Sequence, residues 1–246
     1  MTHLDVKHIQ QSFGDQHVLD DIQFSVDEGE FVSILGPSGS GKSTLFRLIG
    51  GIETPTSGDI HLNGRSITGK PGSVSYTPQS PSLFPWRTVL ENVLLGQEIQ
   101  GEKDYDKALD MIERAGLASY EHAYPHELSG GMKQRASFIR SILSPQSLIL
   151  LDEPFSALDE FTRIDMQQWL LSMWENHKRT IVFVTHNIEE AMFLSDRVII
   201  LSHRPATIQS TFDIPFSRPR HEDLLLSQDF LTLKKDIYHD MRQSHT

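Results

Sequence analysis

Three segments of the chain carry residue types that can do chemistry at their spacing. The first is Gly36-Pro37-Ser38-Gly39-Ser40-Gly41-Lys42-Ser43-Thr44. Its glycines let successive backbone amides turn toward one anion, and a helix beginning at the lysine adds a favourable field. Lys42 reaches the outer phosphates and Ser43 offers a hydroxyl to Mg²⁺, so the segment is a complete phosphate-loop pattern that calls for a nucleoside triphosphate. The second is Leu148-Ile149-Leu150-Leu151-Asp152-Glu153, two acids at the end of an apolar run. Charge there is costly unless paired or solvated. Asp152 is placed to orient the Mg²⁺ shell, and Glu153 to take a proton from water attacking the terminal phosphate. The third, Leu128-Ser129-Gly130-Gly131-Met132, opens a helix-like stretch; such a start can hold an anion, but read alone it is an ordinary cap and loop.

Those segments need strands and helices to hold them. Phe31-Val32-Ser33-Ile34-Leu35 is a run of strand length, and the spacing of Leu45, Leu48 and Ile49 predicts a helix from Lys42 to Gly50-Gly51, which puts the glycine-rich stretch at a strand-to-helix junction. Residues 22–26 alternate as a strand does, and Asp27-Glu28-Gly29-Glu30 turns the chain into the next one. Asn63-Gly64 after Asp59-Ile60-His61-Leu62 predicts a hairpin, and Val74-Ser75-Tyr76-Thr77 a short strand. Helical spacing then covers Thr88 to Leu95, Asp104 to Ala115 and Met132 to Leu143, an insert of about 60 residues. Apolar runs return at 148–151, 181–184 and 198–201; their near-continuous character implies a sheet covered on both faces. Residues 205–220, with Pro205, Pro215 and Pro219, read as an irregular extension, and Leu224 to Met241 as an amphipathic tail.

Composition narrows the function classes. With 246 residues, 38% hydrophobic and 22% charged, the chain is long and apolar enough for one domain, or one domain carrying an inserted subdomain, and is neither disordered nor fibrous. Lys and Arg number 22 against 33 Asp and Glu, a net charge of -11, which argues against a broad grip on nucleic acid or an anionic bilayer. The absence of cysteine excludes disulfides, zinc fingers and thiol nucleophiles. Met1-Thr2-His3-Leu4-Asp5 has none of the features of a secretory signal, and no run reaches the length of a spanning helix, so a soluble or peripheral chain is expected.

The phosphate loop, Gln79 in Thr77-Pro78-Gln79, Leu128-Ser129-Gly130-Gly131, Asp152-Glu153, Ser156-Ala157-Leu158-Asp159 and His186 together, in this order, resemble the ATP-binding subunit of ATP-binding cassette (ABC) transporters over about residues 4–205. The resemblance implies an α/β P-loop NTPase fold: a RecA-like core with an N-terminal antiparallel β subdomain (about 1–86 and 146–205), an inserted helical subdomain (about 87–145) and a C-terminal extension (about 206–246). It implies that two copies pair head to tail, with Gly39 to Thr44 of one facing Ser129 and Gly131 of the other, Gly130 between them, and ATP enclosed. It also implies that Gln79 touches Mg²⁺ and the attacking water, that His186 hydrogen-bonds the γ-phosphate, that Asp159 passes information between the sites, and that Phe13 stacks on adenine with Val18 beside it. Read alone, these five are a surface glutamine, a core-edge histidine, a helix cap and two core residues.

Leu83-Phe84-Pro85-Trp86-Arg87-Thr88-Val89 with Glu91-Asn92-Val93 is similar to the importer branch for nitrate, sulfonates, taurine and pyrimidine precursors of thiamine. The resemblance implies separate permease subunits, an extracytoplasmic solute-binding protein and a place on the cytoplasmic face of the cell membrane. The large regulatory domain of sugar-importer ATPases is not expected in a chain of 246 residues. Ser82-Leu83-Phe84-Pro85-Trp86 is either core or a socket for a permease helix, and Met132 stands where many members have Gln, a change expected to alter contacts near the ribose. The competing expectation is a soluble ATPase of the same fold in translation or DNA repair; those carry tandem cassettes or a coiled coil, absent here, and the acidic balance supports no nucleic-acid track.

Overall fold

The computed structural model describes residues 2–156 and 158–243; Ala157 of the Ser156–Asp159 segment lies outside the described residues. Four strands, β1 (Thr2–Phe13), β2 (Gln16–Asp27), β4 (Ser57–Leu62) and β5 (Arg65–Ser66), form an antiparallel sheet in the order β2-β1-β4-β5. A second sheet runs β10-β9-β3-β8-β7-β6, from β3 (Phe31–Leu35), β6 (Ser75–Thr77), β7 (Leu148–Asp152), β8 (Thr180–Val184), β9 (Arg197–Leu201) and β10 (Ile208–Asp213). It is parallel except at its β10 edge.

The central strands are buried end to end, yet their side chains divide by strict alternation. Ile149, Leu151, Ile181 and Phe183 belong to one core, while Leu148, Leu150, Val182 and Val184 belong to another. The first core continues into α2 (Val89–Val93), α4 (Tyr105–Arg114), α5 (Gly130–Leu143) and α6 (Glu160–His177); the second joins α1 (Lys42–Ile49) and the antiparallel sheet. Two-sided cover is why a sheet period of two reads in sequence as an unbroken apolar run.

The helices between β6 and β7 are the expected insert, with one difference. The stretch from Thr88 to Leu95 breaks at Leu94 into α2 and α3 (Leu95–Gln100). Thr88 and Glu91 close a capping box on α2. Buried Asn92 holds the preceding turn, donating to Phe84, Arg87 and Thr88 carbonyls and accepting from the Phe84 amide at 2.7 Å.

The turn at Asp27-Glu28-Gly29-Glu30 joins two strands as expected and carries the chain from one sheet to the other; Arg197 ties the crossing by donating to Glu30 and to the Ser25 carbonyl. One further expectation is corrected. The extension at 205–220 is not irregular throughout, since β10 pairs antiparallel with β9. Beyond it, α8 (Gln228–Gln243) buries Phe230 and Ile237 in a third core with Ala191 and Met192 of α7 (Ile188–Leu194). Arg220, itself buried, donates to the Met192, Phe193 and Ser195 carbonyls, satisfying the C-terminus of α7. Burial pulls its guanidinium down to about 10, with Arg218 contributing.

Candidate active site

The phosphate loop leaves the end of β3 and becomes α1. Gly41 caps α1 at φ 104° with no side-chain hydrogen bond, so no side chain occupies the amides of the first turn. A Cβ there would lie 2.8 Å from Leu19 and 3.0 Å from Val18, so β2 sets how closely the loop packs. Lys42, 6% exposed, donates from Nζ to the Gly36 and Pro37 carbonyls at 2.9 Å, drawing the loop around the ammonium. Burial lowers its pKa, and the Glu153 and Asp152 carboxylates oppose that shift. Ser40 Oγ is enclosed without a partner behind Gly36.

Asp152 and Glu153 end β7 beside this loop. Asp152 is buried and accepts from Ser43 Oγ at 3.4 Å and from the Tyr76 hydroxyl at 3.2 Å. Burial pushes its carboxyl up, against those two hydrogen bonds. The same burial, together with Asp152, drives the Tyr76 hydroxyl well above the usual tyrosine range. Glu153 takes the left-handed backbone conformation, φ 42°, rare for a residue with a side chain, and its amide donates to the Val184 carbonyl at 2.9 Å. Its Oε2 accepts from His186 Nδ1 at 3.2 Å and from Gln79 Nε2 at 3.5 Å, while Gln79 also donates to Ser156 Oγ at 3.1 Å. Gln79 and His186, from just beyond the ends of β6 and β8, thus converge on the carboxylate at the end of β7.

They share a cleft of about 610 Å³ with Ser38, Gly39, Gly41, Lys42, Ser43 and Thr44. Gly36, Pro37, Ser40 and Asp152 are not among the residues that line it. Arg47 and Arg204 also line it and were not anticipated, nor was Tyr76. The other expected residues do not line the cleft. Phe13 is 45% exposed at the end of β1, and Val18 is buried beneath Gly41. Ser129 caps α5 by accepting from the Met132 amide at 3.3 Å, and Asp159 caps α6 by accepting from the Thr162 amide at 3.0 Å; the Thr162 side chain and then that amide hold its carboxyl below the usual range. Ser129 and Gly130 are exposed, and a Cβ on Gly131 would lie 3.0 Å from Thr162, so the α5 and α6 starts abut within one chain.

The residues fit a magnesium-bound triphosphate. The loop offers amides, an ammonium and hydroxyls, and Ser43 and Asp152 present two hard oxygen donors 3.4 Å apart. No group of three or more His, Cys, Asp or Glu able to hold a metal occurs among the described residues. Mg²⁺ does not need one, because it usually takes one or two protein oxygens and completes its shell from phosphate and water.

The sequence pattern of the ABC transporter family matches residues 19–156. The chain belongs to the ABC transporter family. It is an ATP-hydrolysing cassette of that family, with the RecA-like core, N-terminal antiparallel sheet and inserted helical subdomain of the fold. Among similar proteins, the formylaminopyrimidine import ATP-binding protein ThiZ of Halalkalibacterium halodurans is 44% identical over 225 residues, 89% of this chain and 88% of its own. The aliphatic sulfonates import ATP-binding protein SsuB of Bacillus anthracis is 39% identical over 231 residues (94% and 91%), and the nitrate import ATP-binding protein NrtD of Synechocystis sp. 42% over 219 (86% and 82%). A dimeric structure of a post-hydrolysis state of the ATP-binding cassette MJ0796 bound to ADP and Pi superposes with a TM-score of 0.74 at 28% identity, covering 87% of this chain and 100% of that one. The ADP conformation of the cassette MJ1267 shares the fold, with a TM-score of 0.76 at 23% identity, covering 95% and 98%. No helix among the described residues is long and apolar enough to cross a membrane.

Proposed function

We propose that this cassette energises import of a small anionic or organic solute, of the nitrate, sulfonate, taurine or thiamine-precursor type, through a separate pair of permease subunits at the cytoplasmic face of the cell membrane. An extracytoplasmic binding protein would deliver the solute. The names of the relatives and the Leu83–Val93 pattern support this branch. The observation that carries the catalytic reading is the convergence of His186 and Gln79 on Glu153 beside the phosphate loop.

Glu153 is the general base. With His186 and Gln79 both engaging Oε2, the carboxylate is oriented and offers Oε1 to water in line with the terminal phosphate. His186 hydrogen-bonds the γ-phosphate, and Lys42 with the loop amides offsets charge on the transferring phosphoryl group. Ser43, Asp152 and Gln79 would hold Mg²⁺, which would supply positive charge against the triphosphate. Phe13 stacks on adenine, with Val18 supporting the loop. Ser129, Gly130 and Gly131 of a second copy, paired head to tail, close the cage, and Asp159 senses that copy. MJ0796 supports the pairing by its dimeric form. Residues of about 87–145 make the helical subdomain on a core of about 1–86 and 146–205, with about 206–246 as an extension.

The Glu153→Gln variant tests this reading. Phosphate release is expected to fall by about 10³-fold while ATP stays bound, the range a general base supplies, and sedimentation should show an ATP-dependent dimer. Turnover at the parent rate, or a monomer with ATP and permease both present, rejects it. ATPase activity of the permease-bound protein, stimulated by binding protein loaded with a sulfonate, nitrate or a pyrimidine in turn, identifies the solute class.

A further inference from the structure

His186 is 62% exposed at its side chain, yet the segment that carries it is anchored from behind. Thr185, next to it, is 2% exposed; its hydroxyl donates to Glu190 Oε2 at 2.5 Å and accepts from the Asn187 amide at 3.0 Å. Glu190, in the first turn of α7, is 6% exposed, so its carboxylate needs a counter-charge. Arg163 supplies one, with Nε 3.7 Å from Oε1, an ion pair rather than a hydrogen bond. Arg163 belongs to the first turn of α6, and its Nη2 donates to the Leu158 carbonyl at 2.9 Å, one residue before Asp159. The chain of contacts therefore runs Thr185, Glu190, Arg163, Leu158.

A second observation lies beside it. A cavity of about 40 Å³ is bounded by Glu153, Ser156, Arg163, Thr185, His186 and Glu190. It is large enough for water and polar on every side, and Arg163 Nε is enclosed there without a hydrogen-bond partner. The two helix starts and the base thus meet around a polar, charged space rather than an apolar contact, and a shift of α6 relative to α7 would separate Arg163 from a buried carboxylate.

We infer that Glu190 and Arg163 are positioning residues that bridge the His186 segment to the Asp159 loop, so that seating of that loop against a second copy is felt at His186. The inference rests on the proposed roles of His186 and Asp159. Its physical content is that a buried carboxylate is costly to strand, so the two segments move together or the charge loses its partner.

The test uses the full-length protein. Glu190→Gln keeps a hydrogen-bond acceptor for Thr185 and removes the charge facing Arg163; Arg163→Met removes the other partner from a side chain 30% exposed. Each is expected to lower kcat about tenfold with ATP affinity within about twofold, and to bring the Hill coefficient for ATP down toward 1. The double variant should be no slower than either single one, the mark of one shared interaction, and Arg163→Lys should restore cooperativity. Parent kcat and cooperativity in both single variants, or a multiplied loss in the double one, overturns the bridge. Thermal unfolding checks the fold; if Glu190→Gln does not fold, the Arg163→Met and Arg163→Lys pair decides. Glu153→Gln is measured alongside. If it is inactive while both single variants behave as the parent, the bridge alone is wrong; if it turns over at the parent rate, the catalytic reading fails and the bridge with it.

Discussion

The chain has two glycine-marked helix starts of the kind that face phosphate, and they are built differently. At α1 the capping residue is glycine, the next residue is a buried lysine, and an aspartate and a glutamate stand nearby. At α5 the capping residue is Ser129, whose oxygen already accepts an amide of its own helix, and the start is exposed. The first is an anion site walled on several sides. The second has no such wall among the described residues: it abuts the start of α6, where a Cβ on Gly131 would lie 3.0 Å from Thr162, and on the proposed reading it is half of a site. On the proposed reading, the difference is what lets one polypeptide bind a nucleotide alone and leaves its enclosure to a second copy.

The largest expected effect tests that division directly. Dimers made wholly of Lys42→Ala chains, or wholly of Ser129→Glu chains, should retain below about 1% of phosphate release, since each loses transition-state contacts at both sites. A mixed dimer with one variant in each copy places both defects in one composite site and should recover up to about half of the activity. A copy bearing both substitutions, paired with an unaltered one, should be inactive; half activity there would mean that each chain completes its own site. Monomer binding sharpens the contrast: Lys42→Ala is expected to weaken ATP about 10–100-fold, as loss of charge-assisted hydrogen bonds does, whereas Ser129→Glu should change it by less than about twofold.

A smaller effect is expected outside the cleft. Phe13→Ala should weaken ATP about tenfold by calorimetry, the scale of one aromatic stacking contact, and leave triphosphate without a base unaffected. Phe13→Tyr should match the parent. The smallest concerns the acid behind the first helix start. Asp152 ionises at higher pH folded than unfolded, so the folded state holds the proton more tightly, and stability falls as pH rises from the ordinary aspartate pKa, about 3.9, through the folded value. Without nucleotide, Asp152→Asn should therefore melt about 2–4 °C higher at pH 7, what about 1 kcal/mol moves in a chain of this size, and the gap should close below pH 4.

The asymmetry also explains what could be read before any coordinates. The phosphate loop is contiguous, so its chemistry and its strand-to-helix setting are legible together. Gln79, Glu153 and His186 are scattered, and their convergence was legible only through the ordered set of motifs. Tyr76 carries no local signal because its reach to Asp152 depends on β6 lying beside β7, a matter of strand order that no local pattern encodes. Arg204 reaches the cleft because the loop after β9 returns to β2, where the Ala206 amide donates to the Val18 carbonyl. Residues 208–213 lack a strand signal for a different reason. An edge strand with one neighbour and half-exposed faces has neither a long apolar run nor a clean alternation.

The left-handed backbone at Glu153 has a practical consequence. A side chain in that conformation costs about 1–2 kcal/mol that glycine avoids, and the looser unfolded chain that glycine brings takes back only about 0.4–1. A screen for heat tolerance that scores survival of the fold, and not turnover, will therefore favour Glu153→Gly, a variant that the proposed role of Glu153 expects to be inactive. Thermostabilising this protein has to be done with the assay running.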